Sequence, residues 1–74
     1  MNRIQSWDID STALASAVYD FENFALMLRF CRGGLYVYHA VPYSLLESLL
    51  AAESKGRFFH AHLKGRFDFE RISG

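Results

Sequence analysis

The chain has 74 residues, is 51% hydrophobic and 16% aromatic, and carries no formal net charge. That length allows one domain with a thin stability margin, because so short a chain buries only roughly 60–65% of the surface its unfolded form exposes. The hydrophobic content excludes a disordered segment and raises the expectation that some apolar surface meets a second copy of the chain.

Cys31 is the only cysteine, so no internal disulfide can form and an oxidising compartment is not required. Asp8 and Asp10 interrupt the opening stretch, which has no basic start followed by an unbroken apolar run. No membrane span and a cytoplasmic location are therefore expected.

Residues 1–10 read as an N-terminal arm or a short strand, with Trp7 and Ile9 in register with each other, and 11–74 as a single domain. Asp10, Ser11 and Thr12 look like a turn. Leu14 to Tyr19 is a predicted strand with Leu14, Ser16 and Val18 on one face and Ala15, Ala17 and Tyr19 on the other. A polar turn from Asp20 to Asn23 leads into the clearest strand. There Phe24, Leu26, Leu28 and Phe30 alternate with Ala25, Met27 and Arg29.

Cys31 to Gly34 closes a hairpin, with Gly33 and Gly34 supplying positive φ angles, and leads into a strand from Leu35 to His39. Pro42 to Glu53 is a predicted helix. Pro42 suits its first position, and Leu45, Leu46, Leu49 and Leu50 form its apolar stripe. Gly56 suits a left-handed cap that ends it. Phe58 to Leu63 is a second, short helix, Gly65 a second break, and the alternation of Phe67 and Phe69 with Asp68 and Glu70 suggests a final short strand.

The expected fold class is α+β: a small antiparallel β-meander sheet packed against one main helix, with a second short helix and a short C-terminal strand. Tyr36 and Tyr38 are two residues apart and share a strand face. By size and polarity, Leu35 and Val37 look like the helix-facing set, which would leave the two tyrosines on the open side of the sheet.

The charges are unevenly spread. Residues 1–53 hold three basic and six acidic side chains, and residues 54–74 hold five basic and two acidic. Lys55, Arg57, Lys64 and Arg66 lie in a window without an acid, together with His60 and His62. Such a surface suits phosphate, and Arg29 and Arg32 beside the hairpin could extend it. It equally suits an ordinary solvated face. Tyr36 and Tyr38 could stack on unpaired bases, or could simply form cross-strand and interface pairs.

His39, His60, His62 and Cys31 match no metal-ligand spacing. Cys31 with His39 lacks an oxyanion donor set and an orienting group. No enzymatic activity, metal or cofactor is expected.

Three ordered pieces carry a resemblance: S-T-A-L-A-S-A-V-Y-D from Ser11, L-M-L-R-F-C-R-G-G-L-Y-V-Y-H-A-V-P from Leu26, and A-E-S-K-G-R-F-F from Ala52. Together they resemble the KTSC domain, a small module at the C-terminus of some lysyl-tRNA synthetases and in stand-alone bacterial and phage proteins. The matching positions include Tyr19-Asp20, Gly33, Tyr36-x-Tyr38, Val41-Pro42, Ser54-x-Gly56 and Phe59, within residues 11–66. The resemblance implies a compact domain without known catalysis and a suggested role in RNA binding. His60 stands where the family commonly has a small polar residue such as asparagine.

The expected function is nucleic-acid binding, RNA before DNA, by a homodimeric module: phosphates on the basic C-terminal third, bases on the tyrosines. The alternative is a protein–protein or homodimeric assembly module that binds no nucleic acid and uses the aromatic sheet face and Trp7 as its interface.

Overall fold

The computed structural model describes residues 3–73. Met1, Asn2 and Gly74, which the expected arm and domain include, lie outside the described residues. The elements run β1 (Ile4–Asp8), β2 (Leu14–Asp20), β3 (Ala25–Phe30), β4 (Leu35–Tyr38), α1 (Tyr43–Ala51), α2 (Lys55–His62) and β5 (Phe69–Ser73). The five strands form one antiparallel sheet in sequence order, β1-β2-β3-β4-β5. Both helices are inserted before β5 and feed a single core on one face. The α+β expectation holds. The N-terminal stretch is a true edge strand, with Trp7 opposite Ala17.

The core is built from Leu14, Ala17 and Tyr19 of β2, Leu26 and Leu28 of β3, Tyr38 of β4, Val41, Leu46 and Leu49 around α1, and Phe59 and Leu63 around α2. In α1 the predicted leucine stripe faces the sheet: Leu46 and Leu49 are buried, Leu45 and Leu50 half-buried, and Ser44, Glu47 and Ser48 exposed. Tyr19 anchors the layer by donating its hydroxyl to the Val41 carbonyl at 2.6 Å.

Four expectations are corrected. First, Tyr36 and Tyr38 are on the helix-covered face, not the open one. Leu28 lies opposite Tyr36 and Leu26 opposite Tyr38, and directly paired residues of antiparallel strands share a face. Leu35 and Val37 therefore pair with Arg29 and Met27 on the open side. Second, the pairing of β2 with β3 slips between Leu14 and Ser16. The irregularity turns Leu14 into the core beside Ala17 and Tyr19, while Ser16 and Val18 stay on the other face.

Third, Gly56 caps nothing. The first helix ends at Ala51 in extended backbone at Ala52, and Gly56 lies in the first turn of α2. A Cβ there would stand 3.1 Å from the Ala13 Cβ, so glycine serves close packing of the helix on the β1–β2 connection. Fourth, α2 starts at Lys55 rather than Phe58, because the Ser54 hydroxyl accepts from the Arg57 N–H and caps it. Gly65, with φ +75°, is the break the sequence suggested.

Among the described residues no helix is long and apolar enough to cross a membrane.

Candidate functional site

One end of the helix-covered face is left open. The helices do not reach fully across β4 and β5, and an aromatic groove of about 610 Å³ remains there. Its walls come from three places. Phe30 and Tyr36 arrive from β3 and β4, in edge-to-face contact at 5.5 Å and 85°. Phe59 descends from α2, edge-on to Phe30 at 5.2 Å and to Tyr38 at 5.7 Å. Phe69 of β5 lies opposite Tyr38, with ring centroids 5.7 Å apart and planes 31° from parallel. Tyr36 and Tyr38 are themselves near-parallel, at 6.5 Å and 27°.

These rings are unequally exposed. Tyr38 is the floor, 4% exposed, Tyr36 is half-buried, and Phe69 is an exposed rim residue at 55%. The hairpin is shaped around Tyr36: a Cβ on Gly34, which has φ +99°, would stand 2.9 Å from the Tyr36 ring. Burial, and after it the neighbouring Tyr36, pushes the Tyr38 phenol up to about 12. The Arg71 guanidinium lies 5.8 Å from the centre of the Tyr36 ring.

The mouth of the groove is cationic. Arg32, His60 and Lys64 line it beside Gly33 and Gly65, and among the described residues no acidic side chain does. The arrangement offers flat apolar faces below and positive charge above, which suits a planar aromatic ring attached to an anion.

Of the nine residues singled out in the sequence, the structure gathers five here: Tyr36, Tyr38, His60, Lys64 and Arg32. It does not gather the rest. Lys55 lines a separate polar cleft of about 370 Å³ with Asp10, Ser11 and Glu53, and its ammonium donates to the Ala52 carbonyl at 2.9 Å. Arg57 and Arg66 are exposed and stand outside the groove lining. Arg29 projects from the open face of the sheet, opposite Leu35. An acid-free run in sequence is thus not one continuous patch in space.

The residues missed were the phenylalanines. Phe30 was read only as one member of an alternating strand, Phe59 as part of a helix and Phe69 as part of a strand. A signal existed in Phe69, an aromatic set between Asp68 and Glu70 near the end of the chain, where two charged neighbours favour an exposed strand.

Trp7 packs on Tyr43 at 6.3 Å within its own chain. Cys31 is exposed beside the Ser11 carbonyl, while His39, past the far end of β4, is 3.2 Å from Glu70. Among the described residues no group of three His, Cys, Asp or Glu gathers to hold a metal ion.

Comparison with known proteins places this architecture. Residues 10–67 match the KTSC domain. A protein of Tsukamurella paurometabola is 44% identical over 59 residues, spanning 80% of this chain and 88% of that one. A lysine–tRNA ligase of Trichormus variabilis is 38% identical over 55 residues, 74% of this chain but 10% of the ligase. The chain therefore spans about a tenth of that ligase's length. The crystal structure of a KTSC domain protein from Yersinia pestis superposes with a TM-score of 0.89 at 34% identity, covering 95% of this chain and 99% of that one. The chain belongs to the KTSC domain family.

Proposed function

We propose that the aromatic groove binds single-stranded nucleic acid, RNA in preference to DNA. Bases stack on Tyr36 and Phe69, and the backbone runs past Arg32 and Lys64. The observation that carries this reading is the joining of exposed rings and an acid-free cationic mouth in one groove. Base–aromatic stacking contributes roughly 1–3 kcal/mol per base, and each neutralised phosphate adds a salt-sensitive increment. The lysine–tRNA ligases that share this sequence support RNA as the ligand. A cytoplasmic location, and a role without catalysis, belong to the same proposal.

The test is fluorescence anisotropy with labelled single-stranded RNA, single-stranded DNA and duplex, from about 50 to 200 mM salt, where phosphate-dependent affinity changes by orders of magnitude. Micromolar binding to single strands that weakens with salt is expected. Arg32→Glu with Lys64→Glu abolishes it, whereas Arg57→Glu, outside the groove, leaves most of it. Absence of binding to every probe at the lowest salt sinks the reading.

Self-association is a second proposal, favoured by a different surface. Val18, Met27 and Val37 pair in one row across the open face of the sheet and, with Leu35, are only half-buried. A dimer formed there would leave the groove free, and Met27→Glu with Val37→Lys would separate it without affecting RNA.

A further inference from the structure

Tyr38 is the buried ring of the groove that carries a polar end. It is 4% exposed, yet its hydroxyl has no hydrogen-bond partner among the described residues. No sealed polar side-chain atom among them is left without a partner either. The hydroxyl is therefore not sealed off, and Tyr38 lines the floor of the groove. Tyr19, the other buried tyrosine of the layer, shows the contrast, because its hydroxyl is spent on the Val41 carbonyl. A phenol buried over its ring and reachable at its tip keeps a donor available to whatever enters the groove.

We infer that the Tyr38 hydroxyl reads the edge of the base that enters the groove, donating a hydrogen bond to an in-plane acceptor of that base, a carbonyl oxygen or ring nitrogen. This rests on the nucleic-acid reading of the groove. A ring lying on Tyr36 and Phe69 turns one edge toward the floor, where the buried Tyr38 offers its hydroxyl. Its raised pKa keeps the proton on the phenol throughout the neutral range, so the group serves as a donor there. Stacking accepts any flat ring. The hydroxyl adds a requirement that a purely apolar ring does not meet, which distinguishes a nucleobase from an aromatic amino-acid side chain.

The experiment compares two single-stranded probes on the full chain: a uridine tetranucleotide, and the same backbone with every uracil replaced by 2,4-difluorobenzene, which keeps the shape but is a very poor acceptor. The unsubstituted protein is expected to prefer uracil by roughly fivefold to tenfold, the worth of one net hydrogen bond. Tyr38→Phe, checked by thermal melting, is expected to lose that preference and to bind the difluorobenzene probe as the parent does.

Equal binding of both probes by the parent overturns the inference and leaves the nucleic-acid reading standing, and so does a preference that survives in Tyr38→Phe. Failure of the parent to bind either probe at low salt overturns both. Should the variant not fold, Tyr38→Leu takes its place, and equal binding of both probes by the parent overturns the inference without any variant.

Discussion

Tyr19 and Tyr38 belong to the same layer but to two different aromatic clusters. At the β1–β2 side, Phe21, Tyr43 and Trp7, each half-buried, pack around the fully buried Tyr19, which lies 4.9 Å edge-on to Phe21 and 5.4 Å from Tyr43. Its one deeply buried hydroxyl is satisfied inside the protein. At the β4–β5 side, Tyr36, Tyr38, Phe30, Phe59 and Phe69 form a group of similar size that no helix closes. The chemistry of the two clusters is nearly identical, and the cover differs. In a domain this small, apolar surface left open forgoes burial that would add to a thin stability margin. That difference is the one the proposed function uses, at the β4–β5 end.

The largest expected effect is on the Tyr19 cluster. Tyr19→Ala should lower unfolding free energy by about 3–5 kcal/mol, a large part of the roughly 4–11 kcal/mol available to a domain of this size. Urea denaturation measures it, and a loss below about 1 kcal/mol would place Tyr19 outside the structural core.

Next comes the paired comparison of hydroxyls. Tyr19→Phe strands the Val41 carbonyl and should cost about 1–3 kcal/mol. Tyr38→Phe strands nothing and should stay within about 0.5 kcal/mol of the parent. Equal costs for the two would break the contrast drawn between the clusters.

High pH separates the same two residues. Both phenols are pushed up, Tyr19 by burial and then Asp20, Tyr38 by burial and then Tyr36, the latter to about 12. A folded-state pKa above the unfolded value means the folded protein holds its proton more tightly. The associated stability is complete below about pH 10, and it falls as pH rises from there toward 12. Chemical denaturation at stepped alkaline pH should show this fall, and it should be shallower in Tyr38→Phe. A pH-independent midpoint across that window would contradict the burial assigned to both rings.

The smallest stability change belongs to Phe69→Ala. The side chain is 55% exposed on an edge strand, so the cost should be under about 1 kcal/mol, while single-strand affinity falls by about the worth of one stacked base, 1–3 kcal/mol. Thermal melting and anisotropy on the same preparation would expose any coupling of the two.

Much of the fold could be read along the chain. Alternation located β2 and β3, the two-glycine hairpin located the entry to β4, and the leucine spacing located the buried stripe of α1. Faces were harder. Placing Leu35 and Val37 against the helices by their size failed because strand pairing, not polarity, decides which side a residue takes. With Leu26 and Leu28 inward, the hairpin register left Tyr36 and Tyr38 no other face. The slip at Leu14 is a similar case: a single irregularity reverses the parity on which alternation depends.

The candidate site was legible in its centre and not at its margins. Tyr36-x-Tyr38 identifies itself within three residues. Lys55, Arg57 and Arg66 look equivalent to Lys64 in a charge count, yet the Ser54 cap starts α2 early and sends the cations of that window to different surfaces.

Local sequence thus determined the elements, because periodicity and turn chemistry act over a few residues. It also determined the family, through ordered short pieces. Tertiary structure alone decided which face each side chain took, which rings met and which charges gathered at them. Those outcomes depend on register between strands and on where two short helices stop covering the sheet, distances that no stretch of neighbouring residues encodes.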